Sequence, residues 1–359
     1  MEKEIPIANS FINSIHAFRA FAIVNITAIH AIEFVFFFAE TSEHPAKPNL
    51  TPFAWGESIL LHDSTLYFTI ISGMLFSMVL VDRGYASFFK SKLAYVIAPY
   101  LFFTTLITWR GWGLDGTLKM FDGDLLNFLT LVFNNFFTGA AIFSFWYIPV
   151  LLVLYVLTPA LAKIVKLEWG KWLFIPILLA PLVCSRAWPD VTWTNFVYFL
   201  GAYMLGIIAG INYKKTIAVI ERYLLLLALV AIGSTAALVG LFYLDSPKWG
   251  IITFTESAWY IQKIAFSALV ILLFERTIHY IPKWLDLLGN YAFAIYFLHA
   301  YLLFEMYAVM EKLMDVPISL PIILTLALLN VGLVILFSLI ITYICKLILG
   351  KWSRYFVGA

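Results

Sequence analysis

This sequence predicts an all-α, polytopic integral membrane bundle of about ten transmembrane helices with both termini in the cytoplasm, and three observations carry that expectation. Hydrophobic residues make up 63% of the 359 and charged residues only 12%, a balance that a water-soluble globule cannot cover with polar surface. The apolar residues gather into runs of about 17 to 25, the length a helix needs to cross hydrocarbon. Fifteen of the 23 Lys and Arg fall in joints and tails on the side of the amino terminus, six fall opposite, and only Arg19 and Lys263 lie inside runs. That is the positive-inside pattern of an even number of helices with cytoplasmic ends.

The first run, 14–38, is apolar yet carries Arg19, His30 and Glu33, with His16 one turn before Arg19. It exceeds a signal-peptide core and lacks a small-residue cleavage site, so it is expected to be retained. The second, 59–81, has His62 and Asp63 at its outer end and Ser72-Gly73 within it. A basic joint with Arg83, Lys90 and Lys92 leads into the third, 93–109. Next comes the outer segment 123–145, apolar but interrupted by Asn134, Asn135 and Gly139, which reads as an interfacial or re-entrant helix covering a cavity mouth. The fourth run is 145–162, and the fifth, 172–187, is short and holds Pro176 and Pro181. The sixth and seventh are 194–212 and 223–243. The eighth, 256–274, places Glu256 seven residues before Lys263 on one face, where an ion pair is the simplest expectation. The ninth, 285–309, carries His299, and the tenth is 319–345. Polar joints reach only about 20 residues, so residues 1–359 are expected to form a single transmembrane domain.

The chemistry-bearing feature is the first run. Arg19 and His30 are eleven residues apart, which on a helix is about 16 Å of rise and about 20° of azimuth. Both point the same way, three turns apart. An ionisable group at membrane depth is costly unless it faces a protein interior or a wet cavity. Glu33, three residues past His30, stands where a carboxylate can fix the imidazole's tautomer and raise its basicity. Against these stands the reading in which the same residues only cement helices. The Arg83, Lys90 and Lys92 cluster either obeys the positive-inside rule beside anionic lipid or holds a phosphorylated cofactor. Cys184 and Cys345 fall in different runs, so neither a disulfide framework nor a thiolate metal site is suggested. No Walker loop, dinucleotide fingerprint, HExxH or nucleophile elbow is present, and nothing suggests nucleic acid.

At these residues the chain resembles the acyltransferase-3 family of integral membrane acyltransferases, which modify cell-envelope glycans. The family's Arg, ten residues, then His in the first membrane helix matches Arg19 and His30. FTIISGMLF, KSKLAYVIAPY, FWYIPVLLVLYVLTP, YFLGAYMLG and LGNYAFAIYFLHA follow in the family's order, so the resemblance runs from about residue 13 to 303. The chain departs from it with His16 where an acidic residue is common, Tyr95 where a second basic residue is usual, and Ala292 in place of a serine.

The resemblance implies an O-acetyltransferase-like enzyme of the bacterial cytoplasmic (inner) membrane that moves an acyl group, most often acetyl, from cytoplasmic acyl-CoA to a hydroxyl of a glycan or lipid-linked glycan. Expected catalytic residues are His30, Arg19, Glu33 and His299, with Arg19, Lys90, Lys92 and Arg83 on the cofactor, acetyl-CoA, and no metal. His30 is expected to act as general base or to carry the acyl group transiently. The alternatives are a polysaccharide or solute exporter that uses the buried charges as a relay, and a membrane scaffold without activity.

Overall fold

The computed structural model describes residues 7–42, 47–80, 84–111, 123–187, 190–314 and 318–359. Helix α1 (Ile7–Thr41) has no Gly or Pro to stop it for 35 residues, about 52 Å of rise. It is the axis of the bundle, touching the second span and the later helices between Phe254 and Leu349. That second span is two helices, α2 (Thr51–Leu61) and α3 (Thr65–Leu75), parted at His62 to Ser64. Asp63 there takes a left-handed backbone, φ 62°, a conformation that costs a non-glycine residue energy and concentrates at functional sites. The loose carbonyls at the end of α2 are taken up from elsewhere: Ser64 Oγ donates to Leu61 O at 2.6 Å, and the buried Lys263 Nζ donates to Leu60 O at 2.6 Å. A cation at a helix carboxyl end is the favourable sign for the peptide dipole.

The third span is α4 (Tyr85–Lys92) running through a wide turn into α5 (Ala98–Arg110), which stops where Gly111 turns left-handed. Helix α6 (Leu125–Thr138) opens on Asp124, whose carboxylate accepts from the Asn127 N–H at 3.0 Å, and closes on left-handed Gly139. It lies against α5 through Tyr100 Oη donating to Phe136 O at 2.7 Å and Asn135 Nδ2 donating to Thr108 Oγ1 at 2.9 Å. Its outer face presents Leu126, Leu129, Phe133 and Phe137, as an interfacial helix does.

After α7 (Tyr147–Lys166), helix α8 (Gly170–Leu179) ends just before Pro181, which cannot continue it. The expected fifth span is therefore a short apolar helix, not one long enough to cross. Helices α9 (Trp193–Ile211), α10 (Tyr213–Arg222) and α11 (Leu224–Tyr243) follow. A two-residue hairpin, β1 (Lys248–Trp249) with β2 (Ile252–Thr253), precedes α12 (Phe254–Arg276). The expected ninth span is broken: α13 (Lys283–Asn290) meets α14 (Ala292–Glu305) at 74°. Helix α15 (Tyr307–Met314), the long α16 (Leu320–Leu349) and α17 (Ser353–Phe356) complete the chain. Among the described residues, eight spans are long and apolar enough to cross a membrane, or nine if the bent α13–α14 pair counts as one. The sequence suggested ten; Pro181 accounts for the loss of the fifth.

Helices in lipid associate through close packing, not through release of water, and α3 and α9 show how. A Cβ placed on Gly73 would fall 2.9 Å from the Ile207 backbone nitrogen and closer still to the Tyr203 carbonyl, and Gly206 meets the Ile70 backbone in the same way. The seam is backbone against backbone. Around it sits a core rich in tyrosine, in which the hydroxyl of Tyr147 pairs with Thr69 at 2.9 Å and that of Tyr203 with Thr158 at 2.7 Å. The outward faces of α11 and α16 carry Leu225, Ile232, Leu328 and Leu347, the surface a bilayer would cover.

Candidate active site

Two cavities open along α1, one at Arg19 and one at His30, where the shared azimuth suggested a single site. The cavity at Arg19 has a volume of about 540 Å³ and is lined by Arg19, Lys92 and Lys346, with no Asp or Glu side chain among the described residues. The Arg19 guanidinium lies over the Phe293 ring at 5.9 Å, and Lys92 Nζ lies over Tyr155 at 4.3 Å. Lys346 Nζ donates to Tyr291 Oη at 3.0 Å. Aromatic faces hold these cations without neutralising them, so the cavity is suited to a polyanion. Lys90 is exposed on α4 and does not line it; Arg83 lies outside the described residues. His16 turns to Asp286 of α13, its Nδ1 3.6 Å from the carboxylate. Lys346 was hidden from sequence reading because a lysine near the cytoplasmic end of a last helix looks like ordinary charge bias.

The second cavity, about 340 Å³, is lined by His30 and Glu33 of α1, the His62–Asp63 break, Arg186, and Glu256 of α12, with Trp146, Trp259 and Tyr296 among its walls. His30 Nδ1 stands 3.7 Å from Glu33 Oε2, longer than a hydrogen bond and close enough for charge attraction. The His30 ring stacks on His299, centroids 5.5 Å apart, and meets the edge of Phe143 at 4.8 Å. His299 is fully buried. Its Nδ1 faces the carbonyls of Tyr296 at 2.7 Å and Ile295 at 3.2 Å. Carbonyls only accept, so Nδ1 carries the hydrogen and Nε2 is left as a bare acceptor, without a hydrogen-bond partner. Thus His30, Glu33 and His299 come together. Arg19 stands apart from them, in the other cavity. Phe143 and Ser144, just beyond α6, close over His30, and the Asn134/Asn135 stretch does not line the cavity.

The polar floor of this cavity is a cluster only partly foreseen. Arg186, in the loop after α8, donates from Nε to Glu256 Oε2 at 2.9 Å, has Asp63 Oδ1 at 3.6 Å, and donates from Nη2 to His62 Nε2. Tyr198 Oη donates to Asp63 Oδ2 at 2.5 Å. A guanidinium has no acceptor to offer, so His62 presents a lone pair at Nε2 and is the neutral tautomer protonated at Nδ1. Glu256 thus pairs with Arg186 across the bundle and not with Lys263, whose ammonium is committed to the end of α2. The signal available in the sequence was Arg186 itself, a cation at the outer end of an otherwise apolar run.

These features define a membrane-embedded protein with a cationic cavity and a histidine-bearing cavity on one long helix. The profile of the acyltransferase-3 family, an acyltransferase domain, matches residues 12–347, and the chain belongs to that family. It is an integral membrane acyltransferase. A relative in Bacillus subtilis (strain 168), named provisionally as the membrane-bound acyltransferase YfiQ, is 23% identical over 336 residues, covering 89% of each chain. No solved structure matches.

Proposed function

We propose that this acyltransferase is an O-acetyltransferase of the bacterial cytoplasmic membrane, moving acetyl from cytoplasmic acetyl-CoA to a hydroxyl of a glycan or lipid-linked glycan at the outer side. The supporting observation is the division of labour along α1: Arg19 enters a cavity with three cations and no carboxylate side chain among the described residues, and His30 enters one rich in hydrogen-bonding groups. Arg19, Lys92 and Lys346 would hold the phosphates of the donor, with Lys90 at the approach. His30 would take the proton of the acceptor hydroxyl, Glu33 supporting the imidazolium that forms. The alkoxide oxygen attacks the thioester carbonyl, the carbon–sulfur bond breaks, and the thiolate leaves and takes up a proton. The second route has His30 carry the acetyl group between donor and acceptor. In either, His299 stacks against His30 with Nε2 free to accept.

Sidedness tests the arrangement. In sealed vesicles of known orientation, acetyl-CoA supplied only at the Arg19 face is expected to support transfer to an acceptor supplied only at the opposite face. Activity only when both are on one side refutes it.

Arg19→Lys is expected to weaken CoA binding about ten-fold, because a point charge cannot replace a planar fork on phosphate or carbonyl oxygens. Calorimetry with CoA reads this directly, and an unchanged affinity would return Arg19 to a structural role.

A further inference from the structure

The histidine cavity is more acidic than a general glycan site needs to be. Glu33, Asp63 and Glu256 line it against a single cation, Arg186. That cation is already taken. Its Nε is bonded to Glu256 and close to Asp63, its Nη2 is bonded to His62, and its face lies over Trp146 at 5.2 Å. The His62 imidazole brings no positive charge, since it accepts from the guanidinium. Two unpartnered polar atoms complete the picture. Asp63 Oδ1 and Ser144 Oγ belong to residues only 5% and 3% exposed that line the cavity, and neither has a hydrogen-bond partner. Buried polar atoms without partners are costly and rare. What is missing is a ligand that brings a hydrogen-bond donor to Asp63 Oδ1 and a polar partner to Ser144 Oγ, a hydroxyl that can accept or donate.

Resting on the acyl-transfer reading above, we infer that this cavity selects an acceptor sugar that is neutral or amino-bearing and rejects an acidic one. Hydroxyl or ammonium hydrogens satisfy Asp63 Oδ1 and Ser144 Oγ, and the volume falls within the range of small-molecule sites. A carboxylated or phosphorylated ring would meet three carboxylates in a poorly screened space, with no free cation among the described lining residues to answer it. Rejection here is built by unmatched charge, as specificity often is.

The test is calorimetric binding to the purified full-length protein in detergent, with three probes of matched length: oligomers of N-acetylglucosamine, of glucosamine and of galacturonic acid. The expected result is that the first two bind, glucosamine more tightly, and that the galacturonate oligomer binds at least about ten-fold more weakly. Glu33→Gln, at a half-exposed position where folding is not at stake, is expected to narrow the gap between glucosamine and galacturonate, and Glu256→Gln to narrow it further by freeing Arg186. Equal or tighter binding of galacturonate overturns the inference. So does a gap unchanged in both variants, or binding of none of the probes. Release of free CoA from acetyl-CoA by the same preparation reports separately on acyl transfer, so loss of charge selectivity with CoA release intact leaves that reading standing.

Discussion

His30→Ala is expected to lower acyl transfer at least about hundred-fold, the scale on which a positioned proton acceptor works, while the protein still inserts and folds. The ring is partly exposed to the cavity, and its contacts are a stack on His299, an edge on Phe143 and a 3.7 Å approach to Glu33. Removing it strands no buried hydrogen bond, because Glu33 is half exposed and His299 keeps the Tyr296 carbonyl. Both chemical routes need His30, and they part in what accumulates. With acceptor withheld, a transient acyl carrier gives one rapid equivalent of CoA, whereas a general base gives none above hydrolysis. Transfer by the variant at near wild-type rate in proteoliposomes would remove His30 from the chemistry.

Arg186→Met is expected to be the most destabilising single change in the site. It keeps the length and apolar bulk of the side chain and deletes the charge to which buried Glu256 is bonded and beside which buried Asp63 lies. Breaking one side of a buried ion pair costs about 3–5 kcal/mol, because the partner charge stays buried. Recovery distinguishes this cause from lost packing: adding Glu256→Gln to Arg186→Met is expected to restore much of the lost stability, since the stranded charge goes with it. Thermal unfolding in detergent of the single and double variants measures both, and an Arg186→Met protein as stable as the parent would show that the cluster contributes nothing to folding.

The sequence made α1 legible because everything that matters in it is local. An apolar run without Gly or Pro gives a helix, and eleven residues give an azimuth. What it concealed was tertiary. Sharing a direction did not mean sharing a cavity: α3 and α14 pack on α1, and the Arg19 and His30 cavities have no lining residue in common. The Glu256–Lys263 ion pair was a reasonable same-face inference, defeated by a break in another helix that needed the lysine and by a loop cation that took the carboxylate. His62 and Asp63 were noticed, yet only the left-handed turn at Asp63 shows why they point into a cavity. The late His299 was legible by depth, but its tautomer depends on two carbonyls one turn back, which only coordinates supply.

The glycine seam between α3 and α9 fixes a length as well as a contact. Helix α3 runs from Thr65 at the histidine cavity to Leu75 at the cationic one. Backbones locked at Gly73 and Gly206 allow it neither to slide nor to bow without a clash. Alongside the unbroken α1, it keeps the two chambers apart like the end stops of a gauge. Under the proposed reaction, a donor too short to reach from one stop to the other would fail by geometry before any chemistry is tried.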